Sequence, residues 1–79
     1  MPHVIVKMYS GRSENEKTRL AEEITKAVKS VLGYGDDSIS VAIEDIAPKD
    51  WAELVYRPDI QGKPKNIYKK PGYDRASLP

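Results

Sequence analysis

The stretch SENEKTRLAEEITKAVKSVLG, Ser13 to Gly33, decides the fold. Ser13 and Glu16 stand at the spacing of a capping box, where a serine hydroxyl and a glutamate carboxylate each satisfy an orphan backbone N–H at a helix start. Glu14 and Glu16 also place negative charge at the positive end of the helix dipole. Leu20, Ile24, Ala27, Val28 and Val31 then recur as one apolar stripe of a 3.6-residue period. Gly33 suits the position just past the last turn, with Lys29 placed where a cation is favoured. The pattern predicts a helix over about 14–32.

A strand is predicted on each side of this helix. Upstream, Met1-Pro2-His3-Val4-Ile5-Val6-Lys7-Met8-Tyr9 contains a β-branched run that alternates Val4, Val6 and Met8 against His3, Ile5, Lys7 and Tyr9. The unbroken Val4-Ile5-Val6 suggests a strand covered at least partly on both faces. Ser10-Gly11-Arg12 reads as a short turn. Downstream, Tyr34-Gly35-Asp36-Asp37 is a loop, and Ser38 to Ile46 alternates Ile39, Val41 and Ile43 with Ser40, Ala42 and Glu44. Strand, long helix and strand make one βαβ unit of the α/β class, with parallel strands and a right-handed crossover.

Beyond it, Ala47-Pro48-Lys49-Asp50-Trp51 reads as a turn that opens a short helical piece, Pro48 fitting a first helical position. From Arg57-Pro58 to Pro79 the chain is rich in proline, lysine and tyrosine. It predicts turns, one short helix or extended segment around Pro64 to Lys70, and a frayed end. The expected organisation is a single domain over 1–79, with the βαβ core at about 2–47 and a turn and tail at 48–79.

Composition narrows the function classes. The 79 residues include no cysteine and one histidine, which excludes a disulfide framework and disfavours a Cys- or His-based metal site. Thirteen Lys and Arg balance 12 Asp and Glu, so neither nucleic acid nor an anionic membrane is an expected partner. There is no apolar run of membrane-spanning length and no signal-peptide core near Met1, and the expected location is the cytoplasm. With 39% apolar residues, a chain this short has a thin core. One helix on two strands leaves the second sheet face and both edges to water, so a closed homo-oligomer is expected.

The first two residues carry the chemistry. With Met1 in place, the Pro2 nitrogen is a tertiary amide without basicity. With Met1 removed, it is a secondary amine on a rigid ring at the head of a strand. Met-Pro, an apolar strand, Gly11-Arg12-Ser13, a capped helix and a second strand in this order resemble the 4-oxalocrotonate tautomerase superfamily, over Pro2 to about Trp51. Lys69-Lys70-Pro71-Gly72-Tyr73, with Ser38-Ile39-Ser40 and Trp51, is similar to a narrower branch, the dimeric bacterial tautomerases of phenylenolpyruvate-type enols. The resemblance implies cofactor-free keto–enol tautomerisation of a small 2-hydroxy-alkenoate or 2-keto acid, on a βαβ scaffold assembled as a homodimer, trimer or hexamer. It puts Pro2 on the catalytic proline, Arg12 on a carboxylate-binding arginine, and Trp51 on an aromatic wall of the site. Ser40 falls where 4-oxalocrotonate tautomerase has a second arginine. A neutral hydroxyl gives roughly half the hydrogen-bond strength of a charged donor, so the implied substrate is a monoacid with an apolar or aromatic end.

The residues themselves fit that chemistry. A free α-amine titrates near neutrality, at roughly 7.7–8.0, where a general base for enol chemistry must work. His3 points away from its neighbour Pro2 along a strand and reads as structural. Two other readings stay open from sequence. One is a hydratase or dehalogenase on the same scaffold, with Glu44 as the strand carboxylate on the Ser40 side. The other is a non-catalytic oligomeric binding protein.

Overall fold

In the computed structural model, which describes residues 1–79, His3–Tyr9 forms strand β1. Val4, Val6 and Met8 are half-buried on one face; on the other, Lys7 is half-buried while His3, Ile5 and Tyr9 remain exposed. Within one chain the face of His3, Ile5, Lys7 and Tyr9 is covered only in part. Helix α1 spans Glu14–Leu32, as predicted, and its start is the capping box: the Ser13 hydroxyl accepts from Glu16 N–H at 3.1 Å, and Glu16 Oε1 accepts from Ser13 N–H at 3.0 Å. At the far end Gly33 turns left-handed at φ 76° and its N–H closes on the Lys29 carbonyl at 2.9 Å. A side chain is strained at that φ, which is why glycine stands there.

The covered face of α1 differs from the predicted stripe. Lys17, Ala21, Ile24, Thr25 and Val28 are half-buried, but Val31 stays 78% exposed and Leu20 and Ala27 are exposed as well. The stripe read from sequence is wider than two strands can cover. Two polar members of the covered face are satisfied: Thr25 donates to the Ala21 carbonyl at 2.8 Å, and Lys17 Nζ lies 2.9 Å from both Asp45 and Glu14. The bond to Asp45, then that to Glu14, raises the Lys17 pKa above its usual value.

Strand β2 covers Ser40–Ile46 and pairs with β1 in parallel, giving the predicted βαβ order of the α/β class. It starts two residues later than predicted. Asp36–Ser38 forms a 3₁₀ turn instead, in which the Ser38 hydroxyl donates to the Gly35 carbonyl at 3.0 Å and Ile39 N–H to the Asp36 carbonyl at 3.1 Å. Serine competes for backbone partners in this way.

The chain forms two compact units, Met1–Asp45 and Ile46–Pro79. Nothing in the first is fully buried; Ala52 and Val55, 3% and 4% exposed, are the chain's buried residues and belong to the second. There, a 3₁₀ turn at Pro48–Asp50 leads through Trp51 into a wide helix, Ala52–Gln61, of π type. This corrects the expectation that the chain turns at Arg57-Pro58. A proline ring clashes with the carbonyl four residues back in an α-helix. A ladder that reaches five residues aims that carbonyl elsewhere, and Pro58 sits inside it. Gly62 N–H closes the ladder on the Arg57 carbonyl at 2.9 Å. A Cβ there would lie 2.8 Å from the carbonyl oxygens of Arg57 and Pro58, so only glycine allows this closure. Short 3₁₀ turns follow at Pro64–Asn66 and Arg75–Ser77.

The capping box gives two predictions. Ser13→Ala lowers the unfolding free energy by about 1 kcal/mol, read from urea midpoints at fixed protein concentration. An unchanged midpoint would mean the cap bonds contribute nothing. The Ser13 amide, with the Ser13 hydroxyl and Arg12 adding to it, holds the Glu16 carboxyl below its ordinary pKa. The folded state thus binds the proton less well than the unfolded state. The stabilisation is complete above the ordinary carboxylate range and is lost as pH falls through the lowered value. Glu16→Gln flattens the acid limb of the stability profile; an identical limb counts against the cap as its source.

Candidate active site

Parallel pairing brings Pro2 and Ser40 to the same end of the sheet. Ser40 N–H donates to the Pro2 carbonyl at 3.2 Å, which fixes the residue that follows Met1 at the head of the ladder. Pro2 is half-buried, while Met1 stands 89% exposed. Alongside, His3 Nδ1 lies 2.6 Å from the Ser40 hydroxyl. Sequence reading gives His3 no partner, because Ser40 is 37 residues away and only strand register joins them. The tautomer of His3 decides the serine's role. If Nδ1 carries the hydrogen, the Ser40 O–H remains free to donate to a ligand. If Nδ1 accepts, Ser40 presents lone pairs only.

Arg12 stands at the other end of β1, in the turn before α1. Its Nη1 lies 3.5 Å from Glu16 Oε2, and both side chains are more than half exposed. An exposed pair of this kind is worth roughly 0–1 kcal/mol, so an arriving carboxylate can displace or share the guanidinium at little cost. β1 holds seven residues between Pro2 and the turn. At the usual strand rise that is about 20 Å, farther than a small acid reaches. Pro2 and Ser40 are brought together; Arg12 of the same chain is held away from them.

Trp51 belongs to the second unit. It is half-buried, and its indole Nε1 donates to the Tyr73 hydroxyl at 3.0 Å. The Tyr73 ring lies against Tyr56, centroids 5.9 Å apart and tilted by 43°. Tyr73 is a residue that sequence reasoning did not assign to any site. The available signal was the recurrence of tyrosines opposite the single tryptophan in a tail otherwise read as turns. Among the described residues no group of three or more His, Cys, Asp or Glu side chains converges in metal-binding fashion. No helix is long and apolar enough to cross a membrane.

Comparison with known proteins agrees with this geometry. Residues 2–53 match the family model described as tautomerase enzyme. A probable tautomerase of Xylella fastidiosa is 40% identical over 79 residues, all of this chain and 96% of that one. Tautomerase PptA of Pectobacterium carotovorum is 42% identical over 74 residues, 92% of this chain and 97% of that one. Among solved structures, YwhB, a homologue of 4-oxalocrotonate tautomerase, superposes with a TM-score of 0.63 at 37% identity, over 68% of this chain and 88% of that one. TomN, a homologue from the tomaymycin biosynthetic pathway, gives 0.62 at 32%, over 63% and 77%. Pro2, its ladder partner Ser40 and the capped helix all fall within the matched region, and the chain belongs to the tautomerase enzyme family, an isomerase built on a single βαβ unit.

Proposed function

We propose that this tautomerase interconverts the enol and keto forms of a small 2-keto acid with one carboxylate and an apolar or aromatic end, using the Pro2 nitrogen as general base. The observation that carries the reading is the state of Pro2: half-buried, held by its carbonyl to Ser40 N–H, and followed outward by an exposed Met1. Removal of Met1 leaves a secondary amine whose direction is set by the ring and the ladder bond. Its lone pair takes the enol hydroxyl proton as the electrons shift to form the carbonyl. The same nitrogen then delivers a proton to the β-carbon. Atoms and electrons are conserved, so the step calls for no cofactor.

Arg12 binds the carboxylate in this reading, and because β1 separates it from Pro2 in one chain, it comes from a second copy. A guanidinium suits that task through its bidentate geometry. Ser40 replaces a second cation by a neutral hydroxyl steered by His3, which favours a monoacid. Trp51 walls off water and packs on the apolar end of the substrate. Self-association is supported by the unit Met1–Asp45, which buries no residue of its own and exposes Ile5, Tyr9, Leu20 and Val31.

Two experiments test the reading. In an ultraviolet assay of phenylenolpyruvate ketonisation, Pro2→Ala lowers kcat by about 100-fold or more, the usual share of a positioned base. Undiminished turnover, or full turnover by protein that mass spectrometry shows to keep Met1, removes Pro2 as the base. For the shared site, Pro2→Ala and Arg12→Ala chains, each inactive, are unfolded together and refolded. Mixed dimers hold one intact site, so about a quarter of wild-type activity returns. No recovery means that base and arginine act from the same chain.

A further inference from the structure

The second unit carries a cavity that the proposed catalysis does not use. It encloses about 230 Å3 and opens to solvent between the end of the wide helix and the tail. Its chemistry is sorted by side. Ile60 and Ile67 supply aliphatic wall, and Pro64 and Pro71 add stiff ring surfaces that lose little freedom when a ligand arrives. Tyr56 and Tyr73 present two tilted rings, an arrangement that offers a third ring both a face and an edge. Lys70 is the single charged residue of the lining.

Five observations select the ligand. Lys70 makes no ion pair, whereas Arg57 pairs with Glu53 and Lys63 with Asp59. No acidic residue lines the cavity, so nothing there opposes an anion. Ile46–Pro79 as a whole holds seven Lys and Arg against four Asp and Glu. The volume lies below the roughly 300–1,000 Å3 of pockets for drug-sized molecules, which leaves room for one ring and its acid group and excludes a nucleotide or a folded peptide. The Tyr73 hydroxyl accepts from Trp51 and keeps its own hydrogen to donate.

We infer that this cavity is a binding site for a small aromatic monocarboxylate, ring against Tyr56 and Tyr73 and carboxylate on Lys70. The inference does not rest on the Pro2 chemistry. Because Tyr73 holds the indole of the chain's single tryptophan, occupancy is visible in Trp51 fluorescence.

The test is a titration of the whole protein with phenylacetate, which has no keto group to turn over. The expected result is a saturable change in Trp51 emission. Lys70→Ala weakens the apparent affinity about fivefold, the effect of one partly exposed ion pair. Lys70→Arg restores it, and Lys70→Glu abolishes saturation. Lys70 is exposed, so these variants leave packing untouched. The saturable, Lys70-dependent change persists in Arg12→Ala, which removes the carboxylate anchor of the proposed catalytic site, so it reports this cavity and not the site that Trp51 walls. A response that is non-saturable, that survives Lys70→Glu, or that disappears with Arg12→Ala overturns the assignment. So does an apparent affinity that weakens as protein concentration rises, the sign that a second copy fills the cavity.

Discussion

A two-stranded sheet is narrower than the helix it carries. Two strands sit about 4.8 Å apart, while a helix with its side chains is about 10–12 Å across. The unit Met1–Asp45 is governed by that mismatch. β1 and β2 cover Ile24, Val28 and their neighbours on α1 but leave Leu20 and Val31 open, and on the opposite sheet face Ile5 and Tyr9 stay exposed. The mismatch explains why a helix with a good cap and a strand pair with full register still produce no buried side chain. What holds the unit in shape on its own is directional: the cap at Ser13 and Glu16, the Gly33 closure, and Lys17 held between Glu14 and Asp45.

The candidate site follows from the same register. Parallel pairing sets Pro2 against Ser40, and His3 against the Ser40 hydroxyl, without any long-range hydrophobic core to enforce it. Backbone hydrogen bonds therefore do the positioning that packing does in larger enzymes, and they fix the small rigid ring of Pro2 at the head of the sheet. The strand that aligns Pro2 with Ser40 is also what carries Arg12 away from them. On the proposed reading, a chain of this design puts its base at one end of a strand and its anion anchor at the other.

Much of this was legible in the residues, and the exceptions have physical causes. The bounds of α1 could be read because the capping box and Gly33 are local chemistry, complete within a few residues. The start of β2 was misplaced because Ser38-Ile39-Ser40 alternates like a strand, while the Ser38 hydroxyl finds a backbone carbonyl three residues back and holds a turn. The covered face of α1 was misjudged because periodicity reports which positions are apolar but not how wide the cover is. Pro58 signals a break to anyone who counts α-helical bonds, and the chain continues by widening its ladder. Pro2 was conspicuous by position alone, and Ser40 through the family comparison. The pairs His3–Ser40 and Trp51–Tyr73 join residues 37 and 22 apart, and no local pattern announces them.

The close approach at Gly62 has a consequence for how this tail can vary. An i to i+5 ladder encloses one residue more than an α-turn, so the run Ala52–Gln61 holds spare chain length in place. Losing one residue removes one of the wide closures, and the two carbonyls that crowd Gly62 then no longer face it. Glycine at 62 is thus the mark of the longer form. Length changes among sequences of this shape have a place to be absorbed, downstream of both strands, without altering the register that seats Pro2.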